Sequence, residues 1–204
     1  MNIIYNLPGL FIAIIFHELG HGYMAYLLGD DTAKKSGRLT LNPFKHLDLI
    51  GFIFLLIFRF GWAKPVPVNP FNFKNRKRDT ILVSLAGPLI NFIIAIIVSF
   101  VLIFAKIRNP ILLDILIITL WYNIMLGVFN LLPFPPLDGS KILASLLPRR
   151  LEYYFYRYEK YLYLILIILI GTNTIDRILS PIISNVLKVL DLILGYLWSV
   201  VYGI

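Results

Sequence analysis

The sequence predicts an all-α integral membrane protein with about five transmembrane helices. Of its 204 residues, 59% are hydrophobic and 15% are charged, whereas soluble domains are roughly 45–50% apolar and about 25% charged. Apolar segments of the length that a helix needs to cross a bilayer recur along the chain. The basic residues concentrate in the short loops between these segments, as the positive-inside rule requires.

Apolar segments lie at about 8–28, 49–63, 80–105, 111–132, 158–172 and 177–203. All except 49–63 are predicted to cross the bilayer, the 158–172 segment with the tyrosines of 153–158 as its aromatic belt. The first segment is preceded by no lysine or arginine, so we expect a retained helix and not a cleaved signal peptide. We predict one polytopic membrane domain over 1–204.

The 49–63 segment is the exception because it is short and carries Arg59. The flanking stretches "GRLTLNPFKHLD" and "KPVPVNPFNF" are rich in proline and asparagine, which favours extended chain over a helix start. We therefore predict a re-entrant or β-hairpin-like segment at about 37–73.

The loop charges predict an orientation. If 49–63 does not cross, residues 29–79 and 133–157 lie on one side and hold most of the lysines and arginines, whereas the other side holds Lys106, Arg108 and Arg177. We expect a multi-pass protein of the cell membrane with both loops cytoplasmic and the N-terminus outside. The net charge of +8 belongs to these loops, so we expect the lipid bilayer and no nucleic acid as a partner. Oligomeric state is not predicted.

The first apolar segment contains "HELGH", residues 17–21. His17 and His21 lie one helical turn apart on one face, so both imidazoles can reach one metal ion, and Glu18 is near enough to hold a metal-bound water. The alternative is two packed histidines with a surface glutamate. That alternative is poorer here, because burying three polar groups in a membrane is costly.

A catalytic zinc site needs a third protein ligand, and the chain has no cysteine. Asp138 is the favoured candidate, because it follows the prolines of "FNLLPFPPLDG", where the helix of 111–132 must end. It can meet the histidines only if the first and the 111–132 spans run parallel. His46 and Asp48 are less favoured, because they lie beside turn residues at the membrane edge.

A further polar cluster is "SLAGPLIN", residues 84–91. Gly87 and Pro88 inside a span indicate a kink or a close helix approach. Asn91 is expected to hydrogen-bond inward, and from the residues alone helix–helix contact is its favoured role.

The motifs HELGH, AGPLIN and NLLPFPPLDG, in this order over about 8–148, resemble the site-2 protease family of intramembrane zinc metalloproteases. The loop "GRLTLNPFKHLDLIG" followed by "GWAKPVPVNP" resembles the short, compact prokaryotic type, and no PDZ-like or regulatory domain is expected. The resemblance implies a catalytic core at about 8–148, with C-terminal helices at about 150–204.

The resemblance also implies one Zn²⁺ per chain, ligated by His17, His21 and Asp138, with Glu18 activating the water. It implies that Asn130 contacts the substrate backbone and that Asn91 shapes the site. The expected substrates are single-span membrane proteins or signal-peptide-like segments, cleaved within or near the membrane.

The alternative function is a non-enzymatic zinc-binding or zinc- or proton-translocating membrane protein. Such a protein would place polar residues on successive helices across the bilayer, whereas this sequence has a single cluster at one depth. The sequence therefore favours the metalloprotease.

The last apolar segment carries polar and small residues at helical spacing. They are Ser180, Ser184, Lys188, Asp191, Gly195 and Ser199. The favoured interpretation is packing against the protein body, and the alternative is a mobile gate whose polar stripe lines a wet route to the zinc.

Overall fold

The computed structural model describes residues 3–58, 63–105 and 107–202, and within these ranges the chain forms ten α-helices and one short 3₁₀-helix but no strand. In chain order they are α1 (Ile3–Leu27), α2 (Thr32–Lys35), α3 (Pro43–His46), α4 (Leu49–Phe58), the 3₁₀-helix (Pro70–Asn72), α5 (Arg76–Phe104), α6 (Pro110–Asn130), α7 (Asp138–Leu146), α8 (Arg149–Arg157), α9 (Glu159–Gly171) and α10 (Thr174–Tyr202). The predicted all-α class is confirmed.

Within the described residues, four helices are long and apolar enough to cross a membrane. They are α1, α5, α6 and α10. The fifth predicted span, 158–172, forms the 13-residue α9, which at 1.5 Å per residue is only about 20 Å long and so shorter than the hydrocarbon core. It ends at Gly171 because the chain turns at Asn173, which has a φ of 56°.

Asparagine caps set the starts of two long helices. The Asn109 side chain accepts hydrogen bonds from the backbone amides of Ile111 and Leu112, and Pro110 occupies the first helical position of α6. Asn75 caps α5 in the same way by accepting from the amide of Arg78. These residues satisfy amides that have no partner inside the helix, so each helix begins where the sequence provides a cap.

Helices α1, α5 and α6 pack closely as a three-helix bundle. A Cβ atom on Gly20 would lie 2.8 Å from the carbonyl oxygen of Ala86, and one on Gly9 would lie 2.9 Å from the amide nitrogen of Thr119. The glycines therefore permit a backbone approach that a larger residue would prevent.

The contacts define the helix directions. His21 meets the backbone of Val83 near the start of α5, and Ala13 meets Asn91 further along α5, so α1 and α5 are antiparallel. Gly9 contacts α6 at Thr119, and His17 contacts Asp138 just beyond the end of α6, so α1 and α6 run parallel. The predicted parallel arrangement is confirmed.

The segment predicted at 37–73 contains α3, α4 and the 3₁₀-helix. Among its described residues, the hairpin-like pairing is one antiparallel bridge between Leu47 and Ala63, with the Lys64 amide donating to the His46 carbonyl over 2.9 Å. The bridge places Leu47, before α4, beside Ala63, which follows α4 in the chain. Residues 59–62, including Arg59, lie outside the described residues, and entry of this segment into the bilayer stays a prediction.

Asp30 anchors the far end of this segment to the end of α1. Its carboxylate is fully buried and accepts hydrogen bonds from the Asn69 amide and the Asn72 side chain, both over 2.7 Å. Burial of the carboxylate opposes its ionisation, but bonds from Thr32, Asn69 and Asn72 hold the pKa of Asp30 below its usual value. The extended stretch 64–69 is thereby fixed beside the bundle.

The C-terminal helices pack loosely. A core of Ile124, Val128 and Leu137 receives Leu166 from α9 and Leu179 from α10. Only 11% of the apolar window of α10 is buried, against 44% for α5. In the polar stripe the exposed residues are Ser180, Ser184, Lys188, Asp191 and Gly195, so packing against the protein body does not account for the stripe.

Candidate active site

The two histidines of α1 and the aspartate of α7 meet at one end of the bundle. His17 Nε2 lies 3.1 Å from Asp138 Oδ2, His21 Nε2 lies 2.9 Å from the same oxygen, and the two Nε2 atoms are 3.1 Å apart. All three side chains are buried, with at most 8% of each residue exposed. His17 and Asp138 are 121 positions apart in the sequence. They meet because α1 and α6 run parallel, which brings the end of α6 and the start of α7 to the depth of the histidines.

The hydrogen bonds of the outer ring nitrogens assign the histidine tautomers. His21 Nδ1 lies 2.7 Å from the Val83 carbonyl oxygen, which can only accept, so Nδ1 donates. His17 Nδ1 donates to Asn91 Oδ1 over 2.6 Å, since the Asn91 amide nitrogen is already donating to Ala13 and Asn123. In the neutral rings both Nε2 atoms therefore carry lone pairs.

This donor set fits a zinc ion. Two imidazole lone pairs and a carboxylate oxygen face one another in a triangle with edges of 2.9–3.1 Å, and three acceptors so arranged repel one another without a cation. Tetrahedral zinc with ligands at about 2.0–2.1 Å has ligand–ligand edges of about 3.3 Å. Among the described residues, these three form the one histidine and carboxylate cluster close enough to hold a metal ion.

One face of α5 holds the histidine rings in place. Val83 supplies the carbonyl that binds His21, and Asn91 supplies the oxygen that binds His17. Between them, a Cβ atom on Gly87 would lie 2.5 Å from His21 Nε2. Positions 83, 87 and 91 are four residues apart and so share one helix face. The sequence AGPLIN thus provides space for both rings and a partner for one of them.

Asp138 is fixed by the packing of α7 on the end of α6. A Cβ atom on the next residue, Gly139, would collide with the carbonyl oxygens of Leu131 and Leu132. The second carboxylate oxygen, Oδ1, accepts a hydrogen bond from the half-exposed Lys141 over 3.0 Å. Oδ2 is thereby directed toward the histidines.

Glu18 lies beside the cluster and is half-buried. Its Oε2 atom accepts a hydrogen bond from the backbone amide of Val66 over 2.7 Å, and Val66 belongs to the extended stretch that Asp30 anchors. Glu18, both histidines and Asp138 line one cavity of about 310 Å³. A water molecule in this cavity could contact the carboxylate and the metal site together.

Asn130 also lines this cavity, and its side-chain amide donates to the Leu126 carbonyl over 3.1 Å. It therefore shares the cavity of the metal cluster and Glu18, while contact with a substrate backbone stays a prediction. The less favoured ligands lie elsewhere: His46 Nε2 bonds the Thr40 carbonyl, and Asp48 accepts from the amide of Gly51. Both stabilise the 37–73 segment locally.

The sequence interpretation missed Asn123 on α6. Its Oδ1 atom accepts from the Asn91 side chain over 2.9 Å, and its own amide donates to the Thr119 carbonyl over 2.8 Å. Asn123 is completely buried. A lone asparagine inside an apolar span is the same signal that identified Asn91, so this residue could have been found.

Known proteins resemble the chain over most of its length. The sequence pattern of peptidase family M50 matches residues 5–111 and 105–172. YwhC of Bacillus subtilis (strain 168), whose name describes a zinc metalloprotease, is 40% identical over 183 residues, which cover 86% of this chain and 84% of YwhC.

Two other relatives are longer than the matched region. A zinc metalloprotease of Methanocaldococcus jannaschii is 29% identical over 71% of this chain and 34% of its own length. Rip2 of Mycobacterium tuberculosis, also named as a zinc metalloprotease, is 33% identical over 65% of this chain and 53% of its own length. No solved structure matches the chain.

Proposed function

Since the chain belongs to peptidase family M50, the site-2 proteases, and is therefore an intramembrane zinc metalloprotease, we propose that His17, His21 and Asp138 hold its zinc ion and that Glu18 is its general base. The observation that carries this proposal is the convergence of two imidazole lone pairs and one carboxylate oxygen beside Glu18. These are three ligands and a base, and catalytic zinc sites combine three protein ligands with an open fourth position.

Zinc, when bound, lowers the pKa of water and polarises the scissile carbonyl. The carboxylate of Glu18 takes the proton of the attacking water and delivers it to the leaving amine. Oε2 of Glu18 already accepts a hydrogen bond from the Val66 amide. Oε1 is therefore the oxygen that takes the proton from the water. Asn91 keeps the His17 ring oriented through the transfer, because its oxygen binds the outer ring nitrogen.

The substrates proposed are single-span membrane proteins or signal-peptide-like segments. A transmembrane helix uses all its backbone groups in internal hydrogen bonds, so the segment to be cleaved must unwind locally. The extended stretch 64–69 lies along the cavity, where Pro65, Val66 and Val68 form part of its wall. A neighbouring extended chain can capture released backbone groups by strand addition.

We propose that the chain lies in the cell membrane with the N-terminus outside and the metal-site end of the bundle facing the cytoplasm. The loops 29–79 and 133–157 both contribute to that end, and they carry most of the basic residues. This distribution supports the orientation through the positive-inside rule.

Transport of zinc or protons is not favoured. Among the described residues, the hydrogen bonds that start at His17 continue into the bundle through the side chains of Asn91 and Asn123 to Thr119. Amides and hydroxyls of this kind do not titrate near neutral pH, whereas proton relays use Asp, Glu and His chains.

Co-expression with a panel of single-span substrates tests the proposal. The Glu18→Gln variant keeps the size and hydrogen bonding of Glu18 but loses the base, so cleavage should fall by about 10²–10⁴-fold while bound zinc is unchanged. Asp114→Asn removes an exposed carboxylate on α6 that lines neither the metal-site cavity nor its neighbours; it is the control and should cleave like the wild type. Normal cleavage by Glu18→Gln would remove Glu18 from the mechanism.

A further inference from the structure

The metal-site cavity adjoins two further cavities that lie toward exposed residues. A second cavity of about 290 Å³ shares Pro70, Thr80, Pro136 and Lys141 with the metal-site cavity. A third cavity of about 640 Å³ lies further out, between the start of α5 and the face of α8. It shares with the second the side chains of Arg76, Lys77, Glu152 and Tyr156. The three cavities thus adjoin from the catalytic residues to exposed residues, and we call the outer two the basic cleft.

The basic cleft is lined by more cations than anions. Its basic side chains are Lys74, Arg76, Lys77, Lys141 and Arg149, and its acidic ones are Glu152 and Glu159. Two ion pairs involve these residues: Lys77 pairs with Glu152 over 2.9 Å, and Lys141 pairs with Asp138 of the metal site over 3.0 Å. The cleft therefore keeps a net positive charge.

The cations differ in how they are held. The Lys77 ammonium also donates to the Leu147 carbonyl, and the Arg76 guanidinium lies 5.5 Å from the Phe71 ring centroid. Lys74 and Arg149, by contrast, are exposed and have no ion pair within the part of the chain that the structure describes. These two residues at the outer end are available to a bound molecule.

Resting on the proposed function, we propose that the basic cleft binds an acidic segment that flanks the scissile region of the substrate. The inner end of the cleft adjoins the catalytic cavity, so a polypeptide that leaves the metal site on this side passes along the basic walls. Acidic side chains are attracted there. Lysine- and arginine-rich flanks, which most membrane proteins carry on their cytoplasmic side, are repelled, and such repulsion contributes to specificity.

The test uses single-span substrates that differ only in four flanking residues, which are aspartate, asparagine or lysine. The enzyme is reconstituted in discs of neutral phosphatidylcholine. We expect the aspartate substrate to be cleaved about fivefold faster than the asparagine substrate, as one or two exposed ion pairs would give, and the lysine substrate more slowly. Raising the salt concentration should reduce the difference, since exposed charges are screened.

The double variant Lys74→Glu with Arg149→Glu should reverse this preference, so that the lysine substrate is cleaved faster than the aspartate substrate. Lys45→Glu with Arg157→Glu makes the same change in net charge at exposed residues that do not line the cleft, and it should keep the wild-type preference. An unaltered ratio in the first variant would overturn the proposal.

Two further measurements separate the outcomes. If charge reversal lowers cleavage of all three substrates equally, and only when anionic phosphatidylglycerol is added, the cleft binds a lipid headgroup and the proposal is wrong. Crosslinking of the substrates to the Glu18→Gln variant measures binding alone. If crosslinking depends on the flank but the wild type cleaves no substrate, the proposed function is contradicted and flank binding in the basic cleft is supported. If the wild type cleaves all three substrates without flank preference, only flank binding in the basic cleft is contradicted.

Discussion

Helices α5 and α10 are both 29 residues long and apolar enough to span a membrane, yet they pack very differently. In α5, 44% of the apolar window is buried, and Gly87 lies against the histidine rings. In α10 the corresponding fraction is 11%, and a Cβ atom on Gly195 would have no neighbour within 4 Å. Apolar composition therefore places a helix in the bilayer without determining whether it packs on the protein.

The difference in burial between α5 and α10 follows from the hydrogen bonds that each helix makes to its neighbours. Within α5, Asn91 and the Val83 carbonyl bind the two histidines of α1, and these bonds require close contact between the helices. In α10, Lys188 and Asp191 border an open groove beside Ser99 of α5 and make no ion pair among the described residues. The three-helix bundle is thus expected to be sensitive to small substitutions, and α10 to be tolerant.

The largest contrast is expected from the same substitution in both helices. Gly87→Ala places a Cβ atom 2.5 Å from His21 Nε2 and 2.8 Å from His17 Cε1, so the rings must move and zinc should be lost. Gly195→Ala meets nothing within 4 Å and should retain zinc and activity. Metal analysis of the two purified variants checks both expectations, and a Gly87→Ala protein with full zinc would show that the bundle is not tightly packed at this point.

A smaller effect is expected for the buried amide behind His17. Asn123→Leu removes the partner of the Asn91 side chain, so the His17 ring loses its firm orientation. Loss of such supporting bonds typically weakens metal binding about 10–100-fold, which competition with a chelator measures. Asn123→Asp keeps an oxygen at the position of Oδ1 and should recover part of the zinc affinity. Such a recovery would not be expected if Asn123→Leu acted through a general packing defect.

Asn185→Leu is the matched control for that experiment, because Asn185 is exposed on α10. Its zinc affinity should equal that of the wild type. Equal losses in Asn123→Leu and Asn185→Leu would indicate that the hydrogen bonds behind His17 do not hold the ring.

The smallest effect is expected at Asp30, outside the bundle. Its folded-state pKa is depressed by the bonds from Thr32, Asn69 and Asn72. The stabilisation is therefore present above the unfolded pKa of about 3.9 and is lost as the pH falls through the folded value. Hydrogen exchange of residues 64–73, corrected for the intrinsic rate, should accelerate as the pH is lowered through this range.

The Asp30→Asn variant should show the same acceleration at neutral pH, because removing a hydrogen-bonded buried charge costs about 1.5–3 kcal/mol. Asp31→Asn removes an exposed carboxylate that pairs with Lys35 on the surface, and it should leave the exchange unchanged. If both variants exchange like the wild type, Asp30 does not anchor the 64–69 stretch.

Much of the site was predictable because its side chains are costly in a membrane. His17, His21 and Asp138 were identified from helical spacing and a proline-terminated span, and the structure brings them together. The helix directions followed from that requirement. Asn91 was identified as an inward-facing amide, and it binds His17.

The parts that the sequence did not predict depend on the backbone and on tertiary contacts. The Val83 carbonyl and the Val66 amide belong to apolar residues and give no signal in the side-chain pattern. The bounds of 158–172 match α9 within one residue at each end, but the tyrosines before it belong to the separate helix α8, so α9 is shorter than the predicted bilayer crossing requires. The exposure of the α10 stripe was not predicted, since periodicity locates a helix face without identifying what contacts it.

Zinc content of purified variants tests the central claim most directly. Wild-type protein should hold about one zinc ion per chain, and Asp138→Ala should lose it, because two remaining ligands bind zinc weakly. Asp48→Ala removes the less favoured aspartate, which accepts the amide of Gly51 near the start of α4, and it should retain the metal. Loss of zinc from Asp48→Ala with full retention in Asp138→Ala would contradict the assignment of the metal site to the end of the three-helix bundle.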